Sequence, residues 1–561
     1  MGRPDLNLLI GGEAGQGLVT IAMILTKALV RSGYFIVVTQ SYQSRIRGGH
    51  NTFAIRISPA EIIASRAQVD LLVALNTETV QLHRADMSSA SLILVDERFA
   101  AANDQVLKVP FQEFASDRSV NVAYLGILTQ LLGLDNGVVL QALEDYFGAK
   151  KPEVTAANQE VFNKAVQWAE EKQLPQTVRL APATDRGERL MLNSNEAIAL
   201  GAMAAGLKFC AFYPMTPSTS IPLTLQAAAD TMGLVVEQAE DEIAAINMAI
   251  GASYAGAPAL VATSGGGFAL MVEGVSLAGM TETPVFIVVA QRPGPATGLP
   301  TRTEQGDLEF VLHAGHGEFP RAIFAPGSVE ECFHLSRQAL LLAERYQTPI
   351  FLLTDQFLAD SYRAVAPFEI SSLEPVAVGA DPAAVPIPYR RYAVTDSGIS
   401  PRLLPGLSEQ LVVCDSDEHT PDGHITEDLL VRVQMVEKRL RKEAGLRAEV
   451  IPPAFVGHVS PDLLLVTWGS NRGAVLEAVA TLRAQGRKVA ALCFSQVWPL
   501  VPEQFLDQLQ GAREVVMVEG NALGQMARLI RRETGFAIKK QIRRYDGLPI
   551  TPEYILQALS S

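Results

Sequence analysis

Short, fully apolar runs that end at loops rich in glycine, proline and threonine constrain the fold of this chain most strongly. Two of them cover residues 285–290 and 350–353, and both lie among segments with helical periodicity. A strand without polar alternation is buried on both faces, which is typical of a parallel sheet covered by helices. Such sheets bind ligands beyond the carboxyl ends of their strands. The pattern therefore predicts an α/β protein whose functional residues lie in the loops that follow strands.

Three regions of the 561-residue chain show this pattern. Residues 1–185 begin with a strand, a glycine-rich turn, a helix and a second strand, which is the βαβ signature. Residues 190–375 form the second region, and residues 376–561 hold a proline-rich linker followed by a further α/β unit. Three α/β domains are expected, which agrees with roughly 100–200 residues per domain.

Charge and cysteine content argue against several classes of function. A formal net charge of −14 does not suit a nucleic-acid-binding chain. No uninterrupted apolar stretch of about 18 residues suggests a membrane span, and the start of the chain does not resemble a secretory leader, so a cytoplasmic protein is expected. The four cysteines, at positions 210, 332, 414 and 493, are too dispersed for an iron–sulfur or structural zinc site, so no metal site is expected on this chain.

Four segments after predicted strands or at helix starts carry candidate chemistry. Segment 213–220 has two prolines that stiffen it and hydroxyls that could help hold an anion at the following helix start, or it is a plain capped turn. Glu242 opens a helix of small residues and is either a desolvated carboxylate with a raised pKa or an exposed helix-start acid. Segment 263–267 allows close backbone approach or is a flexible turn. In segment 291–302, Arg292 and Arg302 either bind a carboxylate or phosphate or remain solvated.

The first region contains a glycine motif at 12–17 with the spacing G-x-x-G-x-G. This differs from the dinucleotide motif G-x-G-x-x-G, so NAD binding is not expected. Segment 45–51 is expected to form a basic turn facing the glycines, and a phosphate-bearing ligand would suit that pair.

Taken together, these loops resemble the 2-oxoacid:ferredoxin oxidoreductases, which use thiamine diphosphate. The motifs Y-P-M-T-P (213–217), E-D-E-I-A-A-I (240–246), T-S-G-G-G (263–267) and Q-R-P-G-P-A-T-G-L-P-T-R-T-E-Q-G-D (291–307) look like the alpha subunit. G-G-E-A-G-Q-G and S-R-I-R-G-G-H-N-T look like the family's gamma subunit, fused ahead of alpha. The resemblance favours the 2-oxoglutarate branch. It implies a central thiamine diphosphate pyrimidine-binding domain and a last domain similar to the transketolase C-terminal domain.

The resemblance also implies roles for individual residues. Glu242 would contact the aminopyrimidine ring of the cofactor and act catalytically. Thr216 and Arg292 would bind the 2-oxo carboxylate, with Thr301 completing that site and Arg302 meeting the distal carboxylate of a dicarboxylic substrate. Further cofactor contacts are expected at Tyr213, Pro214, Pro217, Ser264 and Gly265. Coenzyme A contacts are considered at Gly15, Gly17, Arg45, Arg47 and Asn51, although a structural role of this region is equally open.

The implied reaction converts 2-oxoglutarate, coenzyme A and oxidised ferredoxin to succinyl-CoA, carbon dioxide and reduced ferredoxin, reversibly. The chain lacks the G-D-G…N motif that binds diphosphate and magnesium, and it lacks a cysteine cluster. The family places both on a beta subunit, so Mg²⁺ and a [4Fe-4S] cluster are expected there, in an (αβ)₂ heterotetramer. Two alternatives stay open: the same chemistry on pyruvate, branched-chain or aryl 2-oxoacids, and a non-catalytic scaffold chain of such a complex.

Overall fold

The computed structural model describes residues 2–42, 49–99, 105–116, 119–148, 152–185 and 187–560, which form two compact units. The first unit comprises residues 1–192, 360–368 and 551–553, and the second comprises residues 193–359, 369–550 and 554–561. Both combine helices with sheets that contain parallel pairs, which confirms the predicted α/β class. Within the described residues, no helix combines the length and the apolarity needed to cross a membrane.

The first unit is built on an eight-stranded sheet. Its elements are β1 (Leu6–Glu13), α1 (Leu18–Arg31), β2 (Phe35–Ser41), β3 (His50–Ser58), β4 (Val69–Ala74), α2 (Thr77–Leu82), β5 (Met87–Asp96), β6 (Val106–Val109), α3 (Phe111–Phe114), α4 (Val120–Leu132), α5 (Asn136–Phe147), α6 (Pro152–Glu171), β7 (Leu190–Leu192) and β14 (Tyr362–Val365). The strand order is β6-β5-β4-β1-β3-β2-β14-β7. Strand β3 lies between β1 and β2 and is antiparallel to both, so β1 and β2 run parallel to each other.

The predicted basic turn at 45–51 is wrong at its carboxyl end. His50 and Asn51 begin β3 and pair with Glu13 and Gly12, while residues 43–48, including Arg45 and Arg47, lie outside the described residues. The glycine-rich turn is also shorter than expected, because β1 continues through Glu13. Residue 17 is a glycine with φ of 78°, a left-handed conformation that glycine adopts without steric cost, and it leads directly into α1.

The second unit contains a seven-stranded sheet whose interior strands are apolar throughout. Its elements are α7 (Ser194–Ala204), β8 (Phe209–Phe212), α8 (Ser220–Met232), β9 (Val235–Gln238), α9 (Glu242–Tyr254), β10 (Ala259–Thr263), α10 (Gly265–Met280), β11 (Val285–Gln291), α11 (Leu308–Leu312), β12 (Ala322–Phe324), α12 (Val329–Tyr346), β13 (Pro349–Asp355) and α13 (Gln356–Asp360). The order is β18-β12-β13-β11-β10-β8-β9, where β18 is Gln496–Trp498. All pairs are parallel except β12 with β18, so the carboxyl ends of β8, β10 and β11 share one edge.

A five-stranded sheet completes the second unit. The remaining elements are α14 (Leu429–Ala448), β15 (Ala454–Gly457), β16 (Leu463–Trp468), α15 (Arg472–Ala484), β17 (Val489–Phe494), α16 (Leu506–Gly511), β19 (Glu514–Glu519), α17 (Gln525–Thr534), β20 (Lys540–Arg543) and α18 (Pro552–Ser560). The order is β15-β17-β16-β19-β20, with only the β15–β17 pair antiparallel. One buried apolar cluster includes Ile287 and Phe351 of the seven-stranded sheet and Leu464 and Met517 of the five-stranded sheet. The two sheets therefore share a core.

The compact units follow a different division from the three domains expected at 1–185, 190–375 and 376–561. Strands β7 and β14 lie in the sequence of the second expected domain, yet both pair in the eight-stranded sheet. Strand β18, from the third region, likewise pairs with β12 in the seven-stranded sheet. The domain boundaries stay a prediction.

Candidate functional site

The loop between β8 and α8 carries the first candidate residues. Asn195 on α7 donates from Nδ2 to the carbonyl of Pro217 at 2.8 Å and to Oγ of Ser220 at 2.7 Å. Because Asn195 is fully buried, the second half of the loop is held against α7. Tyr213 and Pro214, at its start, are exposed. The second half of this loop is therefore held in place, while its first residues remain accessible to solvent.

Glu242 is the first residue of α9 and is only 2% exposed. Its neighbour Asp241 is the N-cap and accepts a hydrogen bond from the backbone N–H of Ala244 at 2.7 Å. Glu242 Oε1 is buried and has no hydrogen-bond partner among the described residues. Burial raises the pKa of this carboxyl, and the charge of Asp241 adds to the rise, while the backbone N–H of Glu242 opposes it. The side chain is available for a polar partner from outside the chain.

Gly265, Gly266 and Gly267 form the first turn of α10, so the run is neither a flexible turn nor an open loop. A Cβ atom at residue 267 would lie 2.3 Å from Oγ1 of Thr263 and 2.4 Å from Oε1 of Glu242. Because residue 267 has no side chain, the Glu242 carboxylate can occupy this space. The Ser264 hydroxyl, one residue before the helix, is buried and also unpartnered among the described residues.

Gly267→Ala is expected to destabilise the isolated chain by about 1–3 kcal/mol, because the new methyl group overpacks a filled site. Gly266→Ala is the matched control, since a Cβ there meets no atom closer than 3.6 Å. A glycine-to-alanine change inside a helix stabilises by up to about 1 kcal/mol, so the two variants should shift the urea unfolding midpoint in opposite directions. Equal shifts would contradict the close approach at residue 267.

Arg292, directly after β11, reaches back to the loop after β8. Its Nη1 donates to the carbonyl of Thr216 at 2.6 Å, while Nε is buried without a partner among the described residues. Burial lowers the pKa of Arg292, and the carboxylate of Asp307 opposes that effect. A half-buried guanidinium with unused donors next to Thr216 is suited to a carboxylate ligand.

The other two candidate residues of this loop, Thr301 and Arg302, are described by different contacts. Arg302 packs its aliphatic part against Gly547, because a Cβ at residue 547 would lie 3.0 Å from Cβ of Arg302. Its backbone N–H donates to the carbonyl of Leu299 at 3.1 Å, and Thr301 is half-buried beside it. Thr216 and Arg292 are thus in direct contact, whereas Arg302 lies next to the segment after β20.

Asp307 belongs to this site although it was not among the candidate residues. Both carboxylate oxygens lie close to the start of α10: a Cβ at residue 265 would be 2.5 Å from Oδ2 and 2.7 Å from Oδ1. Burial raises the pKa of Asp307 to about 6, Glu304 adds to the rise and Arg292 opposes it. The available signal was an acid directly before a short helical run, within the motif at 291–307.

A separate cavity of about 490 Å³ lies in the first unit, at the amino end of α1. Its lining includes Gly15, Gly17, Leu18, Gln40, Asn51 and Phe53. Three of the residues considered for coenzyme A therefore line one cavity, while the two arginines of that group fall outside the described residues. Within the described part of the chain, no three histidine, cysteine or acidic side chains are grouped to hold a metal ion.

Comparisons with known proteins cover almost the whole chain. The family described as "Pyruvate flavodoxin/ferredoxin oxidoreductase, thiamine diP-bdg" matches residues 200–438, and "Pyruvate ferredoxin/flavodoxin oxidoreductase" matches residues 7–168. A 2-oxoacid:ferredoxin oxidoreductase subunit alpha from a Sulfolobus species is 31% identical over 99% of this chain and 96% of its own length. The 2-oxoglutarate oxidoreductase subunit KorA of Mycobacterium tuberculosis is 28% identical, over 93% of this chain and 86% of its own.

A solved structure is similar over the full length. It is the 2-oxoglutarate:ferredoxin oxidoreductase from Magnetococcus marinus with 2-oxoglutarate, coenzyme A and succinyl-CoA bound. The TM-score is 0.93 at 30% identity, and the match covers 100% of this chain and 99% of the other.

Proposed function

Because the chain belongs to the 2-oxoacid:ferredoxin oxidoreductase family, we propose that it supplies the pyrimidine-binding and substrate-binding half of a 2-oxoglutarate:ferredoxin oxidoreductase. The reaction joins 2-oxoglutarate, coenzyme A and oxidised ferredoxin to give succinyl-CoA, carbon dioxide and reduced ferredoxin. One observation carries the proposal: the Glu242 carboxyl is buried, unpartnered among the described residues and placed against a glycine that leaves it space.

The residues around Glu242 fit the aminopyrimidine ring of thiamine diphosphate. A buried carboxyl with a raised pKa can hold a proton shared with a ring nitrogen, and the buried Ser264 hydroxyl offers a further polar group without a partner among the described residues. The proposed further contacts are Tyr213, Pro214, Pro217 and Ser264. When bound, thiamine diphosphate supplies the electron sink for loss of carbon dioxide. In this scheme Glu242 holds the proton at the ring nitrogen, and the buried loops exclude water from it.

Arg292 and Thr216 are proposed to bind the 2-oxo carboxylate. The guanidinium is already oriented by the Thr216 carbonyl and retains a buried, unused Nε donor. Thr301 would add a hydroxyl, and Arg302 would meet the distal carboxylate of 2-oxoglutarate. The Mycobacterium and Magnetococcus relatives, both named for 2-oxoglutarate, support this substrate over other 2-oxoacids.

Exposed apolar side chains on α9 and α10 support a beta subunit as partner. Ile243, Met248 and Leu270 are exposed by 48%, 37% and 49%, and they share their helices with the site residues Glu242 and Gly267. Exposed apolar patches mark protein interfaces, and the Sulfolobus relative is itself called a subunit alpha. The proposed partner carries Mg²⁺, the diphosphate site and a [4Fe-4S] cluster in an (αβ)₂ heterotetramer that reduces ferredoxin. The proposed location is the cytoplasm.

Coenzyme A is proposed to use the 490 Å³ cavity of the first unit. The amino end of α1 offers free backbone N–H groups to phosphate oxygens, and Gly15 and Gly17 adopt the positive φ angles of the turn that leads into it. Asn51 lines the same cavity, and Arg45 and Arg47 are proposed contacts from the adjacent segment. If Asn51→Ala leaves the KM for coenzyme A unchanged, the cavity has a structural role only.

The test is a panel of 2-oxoacids with the chain co-expressed with its partner subunit. Coenzyme A-dependent reduction of a low-potential acceptor is expected with 2-oxoglutarate, and Arg302→Ala should raise its KM about 10–100-fold, the equivalent of one lost charged contact. Pyruvate is the internal control, because it has no distal carboxylate and its KM should change little. Turnover with pyruvate or a branched-chain 2-oxoacid alone would reassign the substrate. The absence of turnover with every 2-oxoacid would contradict the proposed function.

A further inference from the structure

Residues 303–309, here called the clamp segment, are held more firmly than a loop between a strand and a helix requires. The side chain of Gln305, which is 2% exposed, donates to the carbonyl of Trp468 at 2.9 Å and accepts from Nδ2 of Asn471 at 2.6 Å and from the N–H of Gly520 at 2.8 Å. Its backbone N–H donates to the carbonyl of Gly520 at 2.7 Å. Trp468 ends β16 and Gly520 follows β19, so Gln305 occupies the carboxyl edge of the five-stranded sheet.

Ligands of parallel sheets ordinarily bind at this edge, but here a side chain of the same unit fills it. Gln525, at the start of α17, holds the same segment from the other side. Its Nε2 donates to the carbonyl of Gly306 at 2.7 Å, and its Oε1 accepts from the N–H of Glu309 at 3.0 Å. The carboxyl edge of the five-stranded sheet and the start of α17 therefore hold this segment in place.

Asp307 lies within the clamp segment, and its backbone is fixed by Gln291. The N–H of Asp307 donates to Oε1 of Gln291 at 3.0 Å, and Nε2 of Gln291 donates to the carbonyl of Thr354 at 3.1 Å. The carboxylate is thereby held over Gly265, at the amino end of the 16-residue helix α10. Oδ2 of Asp307 is buried and has no hydrogen-bond partner among the described residues, which leaves it available to a proton.

We propose that Asp307, whose N–H bonds the side chain of the residue directly before Arg292, couples binding of the substrate carboxylate at Arg292 to uptake of a proton. The inference rests on the proposed function, in which Arg292 binds that carboxylate. Before binding, the positive charge of Arg292 favours the ionised form of Asp307. When the substrate carboxylate pairs with the Arg292 guanidinium, the positive charge near Asp307 is neutralised and a second negative charge lies close by. Both changes raise the proton affinity of Asp307.

The charged groups around Asp307 are few. Arg292 faces it from the loop after β11, and Glu304 faces it from the clamp segment itself. The first turn of α10 contributes only glycines, and on α11 Glu309 pairs with Arg528 at 3.3 Å. The free carboxyl has a pKa of about 6, and a bound anion raises it further. Substrate binding is therefore accompanied by uptake of a proton between the pKa of the free enzyme and the higher pKa of the complex. The affinity for the substrate falls as the pH rises through this range.

The test compares wild type, Asp307→Asn and Glu309→Gln in the assembled enzyme between pH 6 and 8.5. In wild type the KM for 2-oxoglutarate is expected to rise at least about threefold over this range, within the limit of tenfold per pH unit for one proton. Asp307→Asn, which keeps the side-chain size but cannot ionise, should remove this rise while kcat changes less than KM. Glu309→Gln, an acid close by on α11, should behave as wild type.

A measurement on unmodified enzyme makes the test independent of variant folding. Calorimetric binding of 2-hydroxyglutarate, which keeps both carboxylates but lacks the reactive carbonyl, is done in two buffers of different ionisation enthalpy. Up to about 0.9 proton should be taken up per site at pH 7, given a free pKa of about 6. No proton uptake, or an Asp307→Asn profile identical to wild type, would overturn the proposal. If wild type turns over no 2-oxoacid, the proposed function fails instead.

Discussion

Glu242→Gln is expected to reduce kcat of the assembled enzyme by about 10²–10⁴-fold, the range that a positioned proton-transfer group contributes. The glutamine fills the same volume beside Gly267, so the chain should remain folded. It cannot hold the shared proton as a carboxylate does, and bulk water has little access to a residue that is only 2% exposed. The loss should appear in kcat more than in the KM for 2-oxoglutarate, because Arg292 and Thr216 remain intact.

Glu240→Gln is the matched control for that variant. Glu240 lies two residues earlier and is exposed, so its removal changes the local charge equally without touching the buried space. Its kcat should stay within about twofold of wild type, as expected for a surface group with no contact to the reacting atoms. Both rates are measured with saturating coenzyme A and 2-oxoglutarate. Equal activities of the two variants would remove Glu242 from the proposed mechanism.

Glu282→Ala is expected to have the largest effect on stability, about 3–5 kcal/mol, the cost of leaving buried charge unpaired. Glu282 follows α10 and is fully buried. It accepts from Nζ of Lys438 at 2.7 Å, and Nζ of Lys442, one turn further along α14, also contacts it. Arg391 donates to its backbone carbonyl at 2.8 Å. Three buried cations thus surround a single carboxylate.

The ionisation of this cluster agrees with that arrangement. Burial alone would raise the pKa of Glu282, but Lys442, Lys438 and Arg391 outweigh it and hold the pKa well below its usual range. Burial also lowers the pKa of Lys438, and the charge of Lys442 adds to that effect, although Glu282 opposes it. Removal of the carboxylate leaves the lysines to lose protons or to draw in water, and either response weakens the contact between α14 and the end of α10.

The stability prediction is checked by urea unfolding followed by circular dichroism. Glu514→Ala is the control, because Glu514 pairs with Lys540 on the surface, where both side chains are largely solvated. An exposed pair contributes about 0–1 kcal/mol, so this variant should unfold close to wild type. If Glu282→Ala were no less stable than Glu514→Ala, the buried carboxylate would not be the required partner of the lysines.

Sequence patterns predicted the strands of the central region well, because strands such as β11 and β13 are buried at every position. Strand β3 was not predicted. Its polar residue Arg56 is buried, and the charge is neutralised by Asp5, about 50 residues away, through a contact of 2.7 Å. Short-range patterns contain no information about such a partner. For the same reason β14 was not expected to pair with β2.

The candidate site likewise combines residues that local patterns could identify with residues that depend on long-range contacts. Glu242 at a helix start and Arg292 after a strand could be named from their motifs, since each depends on local features. For Asp307 the sequence offered only an acid before a short helical run. Its place in the site depends on Gln291, Gln305 and the start of α10, which are brought together by two sheets. The sequence likewise gave no indication that Gln305 fills the edge of the five-stranded sheet.

By itself, the sequence determined the α/β class, the family and the loops that carry the chemistry, because periodicity, loop composition and motif order are local properties. The tertiary structure alone decided which of those loops meet. It placed Arg292 on Thr216, filled the space beside Gly267 with the Thr263 hydroxyl and the Glu242 carboxylate, and brought the Asp307 carboxylate against the start of α10. Burial and proximity set proton affinity and binding geometry, and both arise only when distant segments pack together.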